Sequence, residues 1–190
     1  WRLLTIKYDS QGNLKWARKF ENNITSQSSA ILTDNQQNVY VTGVSNEGMI
    51  TIKYDSLGNL LWSKSYIGVE SSAFILDNNK NLYVAGTINT NSQSDMLLLK
   101  YDSNGNLLWQ QRINGTANMI DMATSICLDD AQNVYIAGST AISNDNSAYF
   151  ISKFDSKGKK KWQYQYNFTS AIASVMSIKN IATKILVTGT

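Results

Sequence analysis

Apolar and polar residues alternate with a period of two through most of this 190-residue chain, in short runs rich in Val, Ile, Leu, Tyr and Trp. The runs end at Gly, Asn or Asp, which predicts β-strands with one packed face joined by tight turns. No stretch sustains an apolar period of 3.6 residues, so helix is expected to be nearly absent. One run recurs four times: TIKYDSQGNLKW at 5–16, TIKYDSLGNLLW at 51–62, LLKYDSNGNLLW at 98–109 and a degraded ISKFDSKGKKKW at 151–162. A period of 46 to 53 residues built from strand-type segments means a radial or linear repeat array in which no unit buries its apolar faces alone.

Each unit carries a second hairpin. SSAILTDNQQNVYVTG ends at Gly43, SSAFILDNNKNLYVAG at Gly86, ATSICLDDAQNVYIAG at Gly138 and SVMSIKNIATKILVTG at Gly189. Every unit is thus four strands, named A (SSAILTD), B (NVYVTG), C (LLTIKYD) and D (NLKWARKF), and about sixteen strands in four radial sheets are expected. Between C and D the segment DSxGN, or DSKGK in the last copy, supplies an Asp for the turn backbone and a Gly for the left-handed position, at Gly12, Gly58, Gly105 and Gly158.

The C-strand Asp lies seven residues before the D-strand Trp in all four copies, and the end of strand A lies six before the B-strand aromatic position: Asp34 to Tyr40, Asp77 to Tyr83, Asp129 to Tyr135 and Asn180 to Leu186. Length varies instead in the B–C connections, where Gly43 to Lys53, Gly86 to Lys100 and Gly138 to Lys153 span 10, 14 and 15, and in the D–A connections. In an antiparallel meander the A–B and C–D turns share one face and the B–C and D–A loops the other. One face is uniform and the other individual.

The pattern DxxxNVYVTG followed by IKYDSxGNLLW resembles the bacterial β-propeller repeat family known as SBBP, and more distantly the pyrroloquinoline-quinone-type propeller repeats. The resemblance covers essentially the whole chain. It implies an all-β propeller of four-stranded antiparallel blades on a secreted or cell-surface bacterial protein, mostly without assigned activity. Two departures stand out: the A–B turn carries Gln37, Lys80, Gln132 and Thr183 where the family has Gly, and the last copy has Leu186 and Phe154 in place of Tyr. The units fall at about 1–48, 49–95, 96–147 and 148–190 of a single domain or propeller segment. Strand order runs from C–D to A–B, which fits a closed four-bladed ring or part of a larger propeller with further blades outside the segment. Trp1 opens inside a strand pattern, as in an excerpted or mature segment.

Composition narrows the chemistry. The chain has no His, which removes the commonest general base and metal ligand. Cys127 stands alone in the apolar pattern ATSICLDD and is expected to be a buried core residue. A net charge of +3 does not argue for nucleic acid, and no apolar run reaches the ~18 residues of a membrane helix. The Asp–Ser–Gly loops suggest calcium, but Ile113 stands where a calcium loop starting at Asp102 would place its bidentate Glu. No metal or cofactor is expected. Lys157, Lys159, Lys160 and Lys161, like Lys15, Lys19, Lys64 and Arg112, fit edge protection of an outer strand. The sequons at Asn23, Asn114 and Asn167 fall in D–A loops at the frequency such a composition gives by chance.

Trp16, Trp62, Trp109 and Trp162 recur at one structural position, as do Tyr40, Tyr83 and Tyr135, so packing between blades accounts for them better than ligand stacking. The expected function is a non-catalytic extracellular or cell-surface scaffold recognising a protein or glycan through the variable loops 21–27, 45–48, 89–95, 114–121 and 141–147. Candidate contacts are Glu21, Asn23, Asn46, Glu47, Asn91, Asp95, Asn118, Asp121, Asn144 and Asp145. A structural spacer of a surface appendage is the alternative. A quinone-dependent dehydrogenase fragment is less favoured, because it would need more blades, a calcium cage and a central carboxylate base.

Overall fold

A computed structural model of the chain describes residues 3–20, 26–89, 93–115, 117, 119–143, 146–167 and 173–190, and among these it contains sixteen strands and no helix. The chain divides into two compact units, Trp1–Ser71 and Ser72–Thr190. In the first, β1 (Leu4–Tyr8) and β2 (Leu14–Lys19) form a two-stranded sheet. Strands β3 (Ser26–Thr33), β4 (Val39–Ser45), β5 (Gly48–Tyr54) and β6 (Leu60–Ile67) follow as an antiparallel meander in that order. Next along the chain, β7 (Val69–Leu76), of which residues 72–76 belong to the second unit, β8 (Leu82–Asn89), β9 (Ser94–Tyr101) and β10 (Leu107–Ile113) form one such meander. Strands β11 (Asp121–Leu128), β12 (Val134–Ala141), β13 (Ser147–Phe154) and β14 (Lys160–Asn167) form the next, and β15 (Val175–Ile181) and β16 (Lys184–Gly189) a final pair.

The fold is all-β and of the β-propeller type, built from four-stranded antiparallel blades. Each complete sheet runs A, B, C, D, so the blades are shifted by two strands from the sequence repeat. Three sheets are complete, and the chain adds a C–D hairpin, β1–β2, and an A–B hairpin, β15–β16, which together make up the sixteen strands of four blades.

Cross-strand register explains the repeated aromatics. Tyr40 of β4 faces Lys53 of β5, and Lys53 faces Trp62 of β6, giving a Tyr–Lys–Trp row across the blade. The row repeats as Tyr83, Lys100 and Trp109 and as Tyr135, Lys153 and Trp162. The Tyr and Trp rings lie edge to face at 5.7–6.1 Å, and the Lys ammonium sits 4.6–4.9 Å from the Tyr ring centre. Both distances fall in the range where aromatic pairs and cation–π contacts are favourable.

The same residues join one blade to the next. In the first unit the carbonyl of Ser56, in the β5–β6 turn, accepts from both Trp16 Nε1 and Lys7 Nζ at 3.1 Å. In the second unit the carbonyl of Ser156 accepts from Trp109 Nε1 and Lys100 Nζ, again at 3.1 Å. The Trp rings lie so close to Gly58 and Gly158 that a Cβ there would come within 2.8 Å of the indole, and both glycines have φ of +83° to +84°. Only Gly meets both demands. Behind each joint lies an apolar cluster. Leu3, Trp16, Val39, Val41, Ile50, Ile52 and Tyr54 form one, and Tyr83, Met96, Leu98, Ile126, Val134, Ile136, Phe150 and Phe154 belong to another, with Trp109 against it.

Trp109 is half-buried, so Trp109→Ala should cost toward the lower end of the ~3–5 kcal/mol of fully buried aromatic truncations. Gly158→Ala should be destabilising through the same contact even though it adds only a methyl group. Chemical denaturation of the two variants and of the double variant checks this; if the joint is one structure, the double variant loses less than the sum of the singles.

Candidate functional site

The two faces that the spacing distinguishes have different chemistry. On the uniform face both hairpins use one clasp, Asp-x-x-x-Asn. Asp102 Oδ1 accepts from the N–H groups of Asn104 (2.9 Å) and Asn106 (2.8 Å), and Oδ2 accepts from Asn106 Nδ2 (2.9 Å). Asp9 and Asp55 do the same in their C–D turns, and Asp34 and Asp77 in their A–B turns. Asp155 keeps the backbone bonds to Lys157 and Lys159 and pairs with Lys161 at 2.9 Å, because Lys159 stands where the other turns have Asn. Hydrogen bonds from the Asn side chain and backbone hold Asp9, Asp55 and Asp102 below the usual carboxylate range. These carboxylates are spent on their own turns.

The left-handed fourth position of the clasp is Gly in C–D turns but Gln37 (φ 62°), Lys80 (φ 63°) and Gln132 (φ 61°) in A–B turns. The glutamine side chains have a use here: Gln132 Oε1 accepts from the Asn78 N–H at 2.9 Å, and Gln37 Oε1 from Lys7 Nζ at 3.3 Å, so the left-handed residue reaches the preceding blade. In the last copy the left-handed residue is Ala182 (φ 53°), not Thr183, and Ile181 pairs directly with Lys184. Pairing places Asn180 opposite Ile185 as Thr33 is opposite Val39, so Ile181 occupies the Asp position and the six-residue spacing does not hold there. Without the carboxylate to gather the turn amides, the hairpin shortens by one residue.

Asp129 accepts in the same way from the Asn133 N–H at 2.8 Å and from Asn133 Nδ2, and its clasp and that of Asp77 reach the interior. Asp77 also meets Lys100 Nζ at 3.3 Å, both side chains almost fully buried, and Asp129 meets Lys153 Nζ at 3.1 Å and the Tyr135 hydroxyl at 2.9 Å.

On the variable face the B–C connections are 46–47, 90–93 and 142–146, fixed by the pairs Ser45 with Gly48, Asn89 with Ser94 and Ala141 with Ser147. Asn46 and Glu47 are exposed at the tip of the first, and Ser45 Oγ accepts from the Glu47 N–H and donates to the Gly48 carbonyl. Asp95 and Asp121 come together in the second unit, where Ser94 bridges Ile120 and the Ile120 carbonyl accepts from the Ala141 N–H at 2.8 Å. Both carboxylates are buried, at 3% and 0% exposure, and so are not the solvent-facing contacts the sequence suggested. Asp95 pairs with Arg112 Nε, and Asp121 Oδ2 accepts from the Gly115 N–H at 2.6 Å. Arg112 is thus held to a buried carboxylate, a role beyond edge protection. Burial pushes the Asp121 carboxyl up, with the Asp95 charge adding to it and the Gly115 N–H and Thr140 hydroxyl opposing.

Glu21, Asn23, Asn91, Asn118, Asn144 and Asp145 lie outside the described residues. Trp16, Trp62, Trp109 and Trp162 occupy their D strands, and Gly12, Gly58, Gly105 and Gly158 the left-handed turn positions. Cys127 is buried, its thiol pushed up to about 11 by desolvation, and there is no imidazole to activate it. Among the described residues no three His, Cys, Asp or Glu side chains are grouped to hold a metal ion, and no helix is long and apolar enough to cross a membrane.

No protein-family model matches the sequence, and no curated protein matches it. Among solved structures the chain is similar to the β-propeller domain of Vanderwaltozyma polyspora Nup133, at 12% identity and a TM-score of 0.49, covering 99% of this chain and 63% of that one. It is similar to the Dos1 propeller at 14% identity and a TM-score of 0.45, covering 97% of this chain and 55% of that one. The chain spans less than two thirds of either. At these scores the propeller assignment rests on the blades and joints themselves.

Two outcomes follow from the buried charges. Asp77→Ala leaves Lys100 uncompensated in the interior and should cost about 3–5 kcal/mol in urea unfolding. Asp121, with its carboxyl raised in the fold, favours the native state when protonated, and that contribution is lost as pH rises above the ordinary carboxylate value of about 4. Asp121→Asn should raise the melting temperature at neutral pH, and the gap should close as pH falls below about 4; a gap independent of pH would show that the charge is not the cause.

Proposed function

We propose that this chain is a non-catalytic binding scaffold that recognises a protein or glycan through its B–C and D–A loops, and that it works outside the cell or on a bacterial surface. The reading is carried by the contrast between the two faces: the uniform face commits its turn carboxylates to its own hairpins, whereas the variable face changes length from blade to blade over a rigid base. Loops of different length on repeated, stiff hairpins are the usual way a scaffold acquires a particular binding shape. Asp95, Arg112 and Asp121 support this by pinning the loop bases, which limits the ordering a partner must impose on binding. The resemblance of the repeat to SBBP propellers supports the bacterial surface location. Absence of His and burial of Cys127 support a role without acid–base or thiol chemistry.

The test is loop exchange. Residues 142–146 are replaced by the two-residue Asn46–Glu47 turn, and 90–93 likewise, in separate variants screened beside the wild type on a glycan array and against a displayed protein library. Hits found with the wild type should be lost in at least one loop variant of unchanged melting temperature, and should be retained when Leu57 or Asn104 on the uniform face is changed. Hits that survive both exchanges and fail with the uniform-face changes would overturn the assignment.

A further inference from the structure

Buried polar atoms in this fold mostly have partners, and the exceptions gather in one place. Among the described residues the buried side-chain oxygens without a hydrogen-bond partner are on Thr5, Thr51, Tyr83, Asp95, Asp121 and Thr140. The two carboxylate oxygens among them, Asp95 Oδ1 and Asp121 Oδ1, belong with Thr140 Oγ1 to one row in the second unit. Thr140 of β12 lies directly opposite Asp121 of β11. Ser94 of β9 bridges Ile120 in parallel, so Asp95 and Asp121, the next residue on each strand, run side by side. Residues paired in this way present their side chains to one face. All three are buried, Thr140 as completely as Asp121.

The other polar atoms of the row are engaged. Asp95 Oδ2 takes Arg112 Nε and Asp121 Oδ2 takes the Gly115 N–H, which leaves Oδ1 of each carboxylate. Thr140 Oγ1 lies beside the Asp121 carboxyl and makes no hydrogen bond with it. Both atoms face a space that a glycine keeps open, since a Cβ on Gly115 would overlap the Thr140 hydroxyl and come within 2.6 Å of Asp121 Oδ1. Charge points the same way. Two carboxylates share one guanidinium, and the Arg112 side chain is 52% exposed against 4% for that of Asp95. Solvent therefore screens the positive charge while both negative charges lie inside, where a carboxylate without a counter-charge is costly.

We propose that Asp95 Oδ1, Asp121 Oδ1 and Thr140 Oγ1 are ligands of a calcium ion held between β9, β11 and β12. The donors are all hard oxygens, which select calcium or magnesium over transition metals. Their positions are set by strand pairing and not by a loop free to close into the octahedral shell that magnesium demands. Calcium accepts irregular sets of oxygens at about 2.3–2.6 Å, with water completing the shell. The site is separate from the Asp–Ser–Gly turns, whose carboxylates hold their own amides. It reinforces the bridge between Ser94 and Ile120 and stands whether or not the loops above it bind a partner.

The test uses the whole chain after chelator treatment and follows calcium by equilibrium dialysis and by melting temperature, with magnesium and sodium chlorides at matched ionic strength beside it. The wild type should bind one calcium ion per chain. Its melting temperature should rise by about 5–10 °C at roughly 100 times the dissociation constant, with little response to magnesium or sodium. Thr140→Val exchanges the hydroxyl for a methyl group of the same shape and should weaken calcium binding at least about tenfold. In chelator it should melt no lower than the wild type, because it removes an unpaired buried hydroxyl. Asp121→Asn should lose the calcium response and keep its higher melting temperature in chelator at neutral pH. Asp102→Asn, in a C–D turn, should bind calcium as the wild type does. A wild type that binds no calcium, an equal response to magnesium or sodium, binding untouched by both Thr140→Val and Asp121→Asn, or binding lost with Asp102→Asn would each overturn the proposal.

Discussion

Everything in this protein depends on one contact, a tryptophan and a lysine from one blade sharing a single carbonyl oxygen in the next blade's C–D turn. The carbonyl of Ser56 or Ser156 lies at the tip of a hairpin whose Asp clasp fixes its shape, so the acceptor is held in place before the donors arrive. The indole covers the glycine, which has no side chain to obstruct it and tolerates the positive φ that the turn needs. The Lys crosses the Tyr ring of its own blade on the way, and its charge is partly offset by that ring and by the Asp of the A–B turn. Turn, row and joint are therefore one device.

Magnitudes separate this device from the ion pairs around it. Lys15 with Asp9 and Lys161 with Asp155 lie at 3.2 and 2.9 Å on the surface, where solvent and salt screen the attraction and such pairs add little to stability. Lys100 with Asp77 is buried, and breaking it leaves a stranded charge. The array thus resembles other repeat proteins, in which stability is a sum of unit and nearest-neighbour terms, with the neighbour terms concentrated in a few residues.

Strands and turns were legible in the sequence because alternation and the Asp–Gly spacing act locally. The joint was legible through repetition: Trp16, Trp62, Trp109 and Trp162 all stand seven residues after an Asp. Two things were not. Asp95 and Asp121 look like solvent-facing loop carboxylates, yet their burial depends on Arg112, which pairs with Asp95 across 17 residues, and on the bridge from Ser94 to Ile120. The alternation of Asp95 with Leu97 and Leu99, and of Asp121 with Ala123, was the available signal, since it places both carboxylates on a core-facing side of their strands. The second is the last A–B turn, where Asn180 and Leu186 keep the expected separation although Ile181 has taken the Asp position; only strand pairing shows the one-residue shift.

The joint also bears on how the chain is made. Within the sheets every described strand pairs with a neighbour in sequence, so each blade can close soon after its own residues leave the ribosome. Trp16 and Trp109, however, wait for carbonyls 40 and 47 residues later. During synthesis the newest finished blade always carries an indole and an ammonium without their acceptor, and the array grows by passing that unsatisfied edge forward one blade at a time. A nascent chain paused at such a point holds an apolar edge open until the next C–D turn is made, the kind of transiently exposed surface on which growing chains can stick to one another.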